Sequence, residues 1–277
     1  MVLHEYKPGN LIAAYIRTFR LVHYNCKADG ALPAKAYPPR PEHCLSFYAR
    51  DPETVTYQNS GLTTGKLSSV LFGQQTEVSL RYVGNQFLLI QAVFKPGGLF
   101  RLTGIPSQLL TNQYIDASTI FSKEIKDVNE KINTAESFQQ MIQVVESFLV
   151  REAKRKSGDI HPLDIATSQL FQQDTVPGVD ALAKSSFQSV RHFERQFKLR
   201  MGVSPKYYLK VMRFENAFRM KNKNPFLDWL SIAINCGYYD YQHLVKDYKD
   251  LTGLSPTQFH EIDMQAPERV FGEADTY

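Results

Sequence analysis

The feature that most constrains this chain is one short pattern written twice near its C-terminal end. From Ala181 it reads ALAKSSFQSVRHFERQFKLRMGVSPKYY, and from Ile232 it reads IAINCGYYDYQHLVKDYKDLTGLSPTQF. Both copies close on Gly-x-Ser-Pro, at Gly202 and Gly253, and the same offset of 51 residues relates Phe193 to Leu244, Arg195 to Lys246 and Phe197 to Tyr248. Upstream the offset drops by one, because Leu182-Ala183 answers to Ile232-Ala233, so the second copy carries one extra residue between its two helices. Two copies are too few for a solenoid. They suit a duplicated pair of helices joined by a turn.

Period and caps make the helical reading specific. In the first copy Val190, Phe193, Phe197 and Met201 form one apolar stripe, with Arg191, Glu194, Arg195 and Lys198 on the opposite side. In the second, Tyr241, Leu244, Tyr248 and Leu251 point inward, and Gln242, Lys246 and Lys249 outward. Ser189 and Asp240 stand directly before these runs, where an oxygen side chain satisfies free helix amides. Gly202 and Gly253 occupy the left-handed stop, and Ser204-Pro205 and Ser255-Pro256 read as a cap followed by proline at the first helical position. Between the copies a helix from Pro205 to about Asn222 offers Val211, Phe214, Ala217 and Phe218 for packing. It is roughly 27 Å long at 1.5 Å per residue. With its flanking turns that length holds two helices about 34 Å apart, one turn of DNA.

With these residues in view the segment resembles the tandem helix-turn-helix module of the AraC/XylS family of bacterial transcription regulators. The resemblance is carried by Leu182-Ala183, Ser189, Phe193, Arg195, Phe197, Gly202-Val203-Ser204-Pro205, Tyr208, Arg213-Phe214, Ala217, Ile232-Ala233, Gly237-Tyr238, Asp240, Tyr248-Lys249, Gly253 and Ser255-Pro256. The second copy departs from the family pattern at Val245-Lys246-Asp247, where an aromatic followed by an Arg-containing pair is more common. The resemblance implies a double-stranded DNA partner and, for an activator, contact with RNA polymerase.

Composition sets the outer limits. The 277 residues exceed the needs of this module, and 43% hydrophobic content is ample for one or two cores, so two domains are expected. Net charge is only +4, but from Lys184 to Lys223 eleven basic residues face two acids, Glu194 and Glu215, a local field that favours polyanions. The plainer reading, charged helix faces that are merely solvated, is outweighed by the register of the paired helices. Three scattered cysteines, Cys26, Cys44 and Cys236, make no disulfide framework. Each reads as a small core or surface residue, with a thiol sensor at Cys44, beside His43, as the alternative. Residues Met1 to Asn10 lack the apolar run of a signal peptide and no stretch approaches membrane length, so a cytoplasmic protein without membrane association is expected.

The chain as a whole reads as α+β: an N-terminal β-rich, cupin-like barrel, a helical linker, and a C-terminal all-α double helix-turn-helix domain. The β-rich part covers 1–121, punctuated at Lys7-Pro8-Gly9, Tyr37-Pro38-Pro39, Gly61, Gly84-Asn85 and Lys95-Pro96-Gly97-Gly98. Leu11 to Arg20 suits a short helix as well as a strand. Val78, Leu80 and Tyr82 alternate with Ser79 and Arg81 as in a half-buried strand, and the nearly all-apolar Phe87 to Phe94 reads as a buried one. By family resemblance this barrel binds a small-molecule effector or mediates dimerisation, and Val93 to Gly98 with Phe100 to Pro106 resembles a segment of many such regulators. The only histidines here, His4, His23 and His43, are widely separated, so neither metal nor cofactor is expected.

Residues 122–158 turn helical. Phe138, Met141, Ile142, Val145, Phe148 and Leu149 define an amphipathic stripe that either packs on the barrel or pairs with a second chain in a homodimer. Arg151 to Lys156 with Ser157-Gly158 reads as a solvated helix end and hinge. The DNA-binding domain is assigned to 159–262, opened by a helix at His161-Pro162, and 263–277 to a loose tail.

DNA contacts are assigned to Arg191, Glu194, Arg195 and Lys198 of the first recognition helix and, by the family resemblance, to Gln242, His243 and Lys246 of the second, with Arg191, Arg195 and Gln242 suited to base edges and Lys198 better placed for phosphates. Ser189, Lys206 and Lys249 are assigned to phosphates. No catalytic residue is assigned and no enzyme is expected. The rival readings are a DNA-architectural protein without effector, which a pocket-free barrel would favour, and an enzyme carrying this module as a DNA address, which lacks here the clustered cysteines of a metal-bound alkyl acceptor.

Overall fold

A computed structural model describes residues 2–25, 34–121, 124–155, 158–173, 175–266 and 269. The chain opens with β1 (Val2–Tyr6), a turn through Asn10–Tyr15, and β2 (Ile16–Asn25). Leu11 to Arg20 is thus turn and strand rather than helix: the turn places Ile12 and Tyr15 in the core, and pairing with β1 claims the rest. Short strands follow as β3 (Lys35–Tyr37), β4 (Cys44–Tyr48), β5 (Thr54–Tyr57), β6 (Thr63–Gly65), β7 (Ser69–Phe72), β8 (Ser79–Tyr82), the long β9 (Gln86–Phe94) and, after α1 (Gly98–Thr103) and a 3-10 turn at Ser107–Leu110, β10 (Tyr114–Asp116).

These strands form two antiparallel sheets, one ordered β1-β2-β9-β4-β7-β10 and the other β3-β8-β5-β6. The barrel expected from the sequence takes the form of two facing sheets with a cleft between them. The larger sheet is covered on both faces, which is why β9 is apolar almost throughout. Phe19 and Leu21 of β2, Leu45 and Phe47 of β4, and Leu88, Ile90, Ala92 and Phe94 of β9 pack outward, onto helices. Arg20, Val22 and Tyr24, with Phe87, Leu89 and Gln91, face the cleft.

In β8 the period of two is present but its phase is the reverse of a simple apolar-inside strand. Ser79 and Arg81 are buried, Leu80 is half-buried, and Tyr82 is exposed. Tertiary chemistry overrides the pattern here: Arg81 approaches Glu53 at 3.5 Å and lies over the Tyr37 ring at 3.9 Å. A buried charge is tolerated only with such partners.

The helices α2 (Ser118–Phe121), α3 (Glu124–Thr134) and α4 (Phe138–Arg155) follow. Met141, Ile142, Val145, Phe148 and Leu149 of α4 are buried with Ile125, Val128 and Ile132 of α3 in the same core as the larger sheet. The stripe that a second chain would have used is thus occupied within this one. The end of α4 is held rather than merely solvated, because Arg155 pairs with Glu124 at 2.6 Å and with Glu152 at 3.0 Å.

The C-terminal part comprises α5 (Pro162–Gln169, capped by His161), α6 (Val179–Ser185), α7 (Val190–Met201), α8 (Pro205–Lys223), α9 (Trp229–Asn235), α10 (Tyr241–Thr252) and α11 (Pro256–Asp263). Two cores divide it. Leu163, Ala166, Leu182, Phe193, Phe197 and Met201 gather around Tyr208, Leu209 and Met212 of α8. Ile232, Ala233, Leu244, Tyr248, Leu251 and Phe259 gather around Val211, Phe214, Ala217 and Phe218 further along the same helix. Most of the segment assigned to the loose tail lies outside the described residues, as does Cys26, although Arg269 is tied to Asp263 at 3.0 Å.

The β-rich part grips the end of α7. Ser107 Oγ donates to the Arg200 carbonyl at 2.8 Å and Thr111 Oγ1 to the Gly202 carbonyl at 3.1 Å, while within the C-terminal part Arg200 Nε donates to Asp164 of α5 at 2.6 Å. Gly202 is required twice over. Its φ is +87°, and a β-carbon there would lie 2.7 Å from Thr111 Oγ1 and 2.9 Å from the Ser107 carbonyl oxygen. Gly202→Ala is therefore expected to destabilise the chain by more than the ~1–2 kcal/mol of left-handed backbone alone, to be read from urea unfolding of both proteins.

Candidate nucleic-acid interface

The two recognition helices start and stop where their sequences say. Ser189 Oγ accepts from the His192 amide at 3.4 Å, and Asp240 Oδ1 from the His243 amide at 2.7 Å. Gly202 and Gly253 close the helices in left-handed conformation. All ten residues assigned to DNA are exposed: Ser189, Arg191, Glu194, Arg195, Lys198 and Lys206 around α7, and Gln242, His243, Lys246 and Lys249 on α10. Val190, placed on the inward stripe by its spacing, is instead 39% exposed, because the first turn of α7 projects beyond the core.

The basic field is narrower than the count of charges implies. Of the eleven basic side chains from Lys184 to Lys223, Arg200 is buried on Asp164, Lys210 pairs with Asp250 at 3.2 Å, and Arg213 with Asp247 at 3.5 Å. Lys221 Nζ donates to the Pro225 and Leu227 carbonyls of the α8–α9 turn. Lys184, Arg191, Arg195, Lys198, Lys206, Arg219 and Lys223 remain exposed. Arg195 Nη2 lies 3.1 Å from His192 Nδ1, one turn back on α7. Spacing alone did not single out this contact of His192 with the guanidinium.

Asp247 explains the departure in the second copy. It is buried, and burial raises its carboxyl while Arg213 opposes the rise. It ties α10 to α8, so at this position the chain uses a structural ion pair. Lys246, its neighbour, points to solvent.

Between the two sheets lies the cleft of the β-rich part. Its walls combine Leu3, Val22, Phe72, Val83, Phe87 and Leu89 with Arg20, Lys35, Arg40, Arg81, Glu42 and Glu53. Burial would raise the Glu42 carboxyl, but Arg20, Arg17 and Arg40 hold it well below the ordinary carboxylate range. The segment Arg40–His43 faces two ways. Arg40 lines the cleft and approaches Glu215 of α8 at 3.8 Å; the Pro41 carbonyl accepts from Tyr208 Oη at 3.2 Å; Arg17, held by Glu42, lies over the Phe171 ring at 4.4 Å.

His43 Nε2 lies 3.1 Å from the Met201 carbonyl, at the last turn of α7. Burial lowers its pKa to about 4 despite that bond and the nearby Glu42, so the ring is neutral and Nε2–H donates. Burial likewise pushes the Cys44 thiol up, which removes the thiolate a sensor needs. Among the described residues no three His, Cys, Asp or Glu side chains form a group able to hold a metal, and no helix is long and apolar enough to cross a membrane.

Residues 182–262 match the family model described as a helix-turn-helix domain. No curated protein sequence matches the chain. Similar solved structures include ToxT from Vibrio cholerae O395, at 11% identity over 88% of this chain and 97% of that one, with a TM-score of 0.46. Unsaturated fatty acid bound wild-type ToxT from Vibrio cholerae strain SCE256 is 12% identical over 92% and 97%, with a TM-score of 0.48. The DNA-binding domain of AdpA in complex with a target DNA is 23% identical over 41% of this chain and all of that one, at 0.36. The C-terminal part is thus a tandem helix-turn-helix domain. Its two copies are joined by one central helix, α8.

The His43 contact makes the junction pH-dependent. The unfolded chain takes up a proton near pH 6.5 and the folded chain only near 4, so stability from this group is whole above about 6.5 and lost as pH falls toward 4. The loss amounts to about 3 kcal/mol at most. Burial also lowers His23, His161 and His260, so the comparison is with His43→Gln. Thermal unfolding of the variant between about pH 7 and 5 is expected to vary less with pH than that of the wild type.

Proposed function

We propose that this protein is a transcription regulator that reads two successive major grooves with α7 and α10, under control of a small ligand held between its two sheets. The observation that carries the reading is the pairing of two capped recognition helices, each with its assigned side chains in solvent, on the opposite halves of α8. One chain then spans a full DNA site without a partner. Arg191 and Arg195 are four residues apart on one face of α7, and either guanidinium suits a guanine edge. Gln242 suits adenine, and Lys198, Lys206 and Lys249 suit phosphates.

The cleft favours effector control over a purely architectural role. Its apolar walls and its arginines suit a small acid with an apolar body. The segment from Arg40 to His43 touches both the cleft and the helices that carry α7. A ligand that redistributes the Arg20–Glu42–Arg17 ion pairs therefore acts on the seat of the first recognition helix.

Arg195→Ala is expected to lower affinity for a selected duplex by about 1–3 kcal/mol and to relax preference at one or two base pairs. Wild-type selectivity in that variant would remove α7 from the reading. Lys206→Ala should weaken all duplexes alike and flatten the salt dependence of binding. Both are measured by titrating labelled duplex at several salt concentrations.

A further inference from the structure

We propose that Phe187 and Tyr239 are DNA-contacting residues that read thymine methyl groups beside the two recognition helices. The inference rests on the DNA-binding reading above. In each copy the first helix ends, the next residue turns left-handed, and the amide after that returns to the helix: Gln188 N to the Ala183 carbonyl, and Tyr238 N to the Ala233 carbonyl, each at 3.0 Å. The left-handed residue is Gly237 in the second copy, with φ +76°, and Phe187 in the first, with φ +56°. From there the first copy runs through Gln188 to its cap Ser189. The second runs through Tyr238 and one extra residue, Tyr239, to its cap Asp240.

Each copy thus breaks the shared frame once, by a different route. The first puts a phenylalanine where glycine fits, and the second inserts a tyrosine. Both breaks place a nearly fully exposed ring directly before a recognition helix: Phe187 is 92% exposed and Tyr239 90%. Neither ring gains burial on folding, and Phe187 also holds a conformation unfavourable to any residue with a β-carbon. Strain of this kind persists at functional positions. What the folded chain does not supply, a bound partner must.

The place of the rings identifies that partner. The first turn of a recognition helix addresses base edges in the major groove, so a ring one or two residues ahead of the cap meets the groove wall. The apolar group exposed there is the 5-methyl of thymine, which aromatic side chains contact. Phe226, also wholly exposed, precedes α9 rather than a recognition helix and serves as the control.

The test uses the full chain and a duplex it selects from a random pool. Phe187→Gly is expected to unfold no more easily than wild type, since glycine suits the backbone, yet to bind about tenfold more weakly. Tyr239→Ala should also bind more weakly, and Phe226→Ala should bind as wild type does. Replacing thymines by uracil in the selected duplex removes single methyls and should weaken wild type about fourfold each where a ring contacts them, while leaving the doubly substituted Phe187→Gly, Tyr239→Ala protein indifferent. Wild-type affinity in that double variant overturns the inference, and loss in it that is as large with uracil as with thymine overturns the methyl contact. If Arg195→Ala weakens binding while the double variant does not, this inference alone fails. If the wild-type chain selects no sequence at all, the DNA reading fails and takes this one with it.

Discussion

Everything in the C-terminal half depends on α8 being buried along both halves of its length. Tyr208, Leu209 and Met212 belong to one core, and Val211, Phe214, Ala217 and Phe218 to the other. Each large apolar side chain so buried contributes about 1.5–3 kcal/mol, and each half of α8 gains it only when the helix pair beside that half closes on it. The Phe197 ring meets Tyr208 at 5.3 Å and the Tyr248 ring meets Phe214 at 4.6 Å. One rigid rod therefore sets the separation of α7 and α10. Their exposed faces inherit their positions from that packing.

A second constraint holds the end of α7, against α5 and against the β-rich part. Arg200 and Asp164 are both buried, and removing either partner of such a pair costs about 3–5 kcal/mol because the other charge is stranded. Around this pair the carbonyls of Arg200, Met201 and Gly202 take donors from Ser107, His43 and Thr111. The last turn of α7 leaves carbonyls without helical partners, and the β-rich part supplies them. The end of the recognition helix distant from its cap is thus finished by the other domain. Those bonds join α7 to the β-rich part.

The helix-turn-helix half was legible in the sequence because its signals are local. Caps at Ser189, Asp240, Ser204 and Ser255, stops at Gly202 and Gly253, and stripes of period 3.6 all act within a turn or two. The outward placement of Arg191, Arg195, Gln242 and Lys246 follows from the same periodicity. The strands were legible as strands but not as faces. Ser79 and Arg81 turn inward because Glu53 and Tyr37 wait for them on neighbouring strands, and alternation cannot say which set of alternating residues is the inner one. Arg200 and Arg213 counted as DNA-seeking charge until Asp164 and Asp247 were seen against them. His192 was missed because its contact with Arg195 is side-chain geometry that spacing does not specify.

The sequence by itself determined the two capped helix pairs, the rod between them, and the choice of exposed side chains, since each depends on contacts between residues near one another in the chain. Only the tertiary structure decided the cleft, the inward polar face of β8, and the grip on α7. Those depend on partners such as His43 with Met201, 158 residues apart, and Ser107 with Arg200, 93 apart. No periodicity spans such distances, because what joins those groups is the closure of one domain on another.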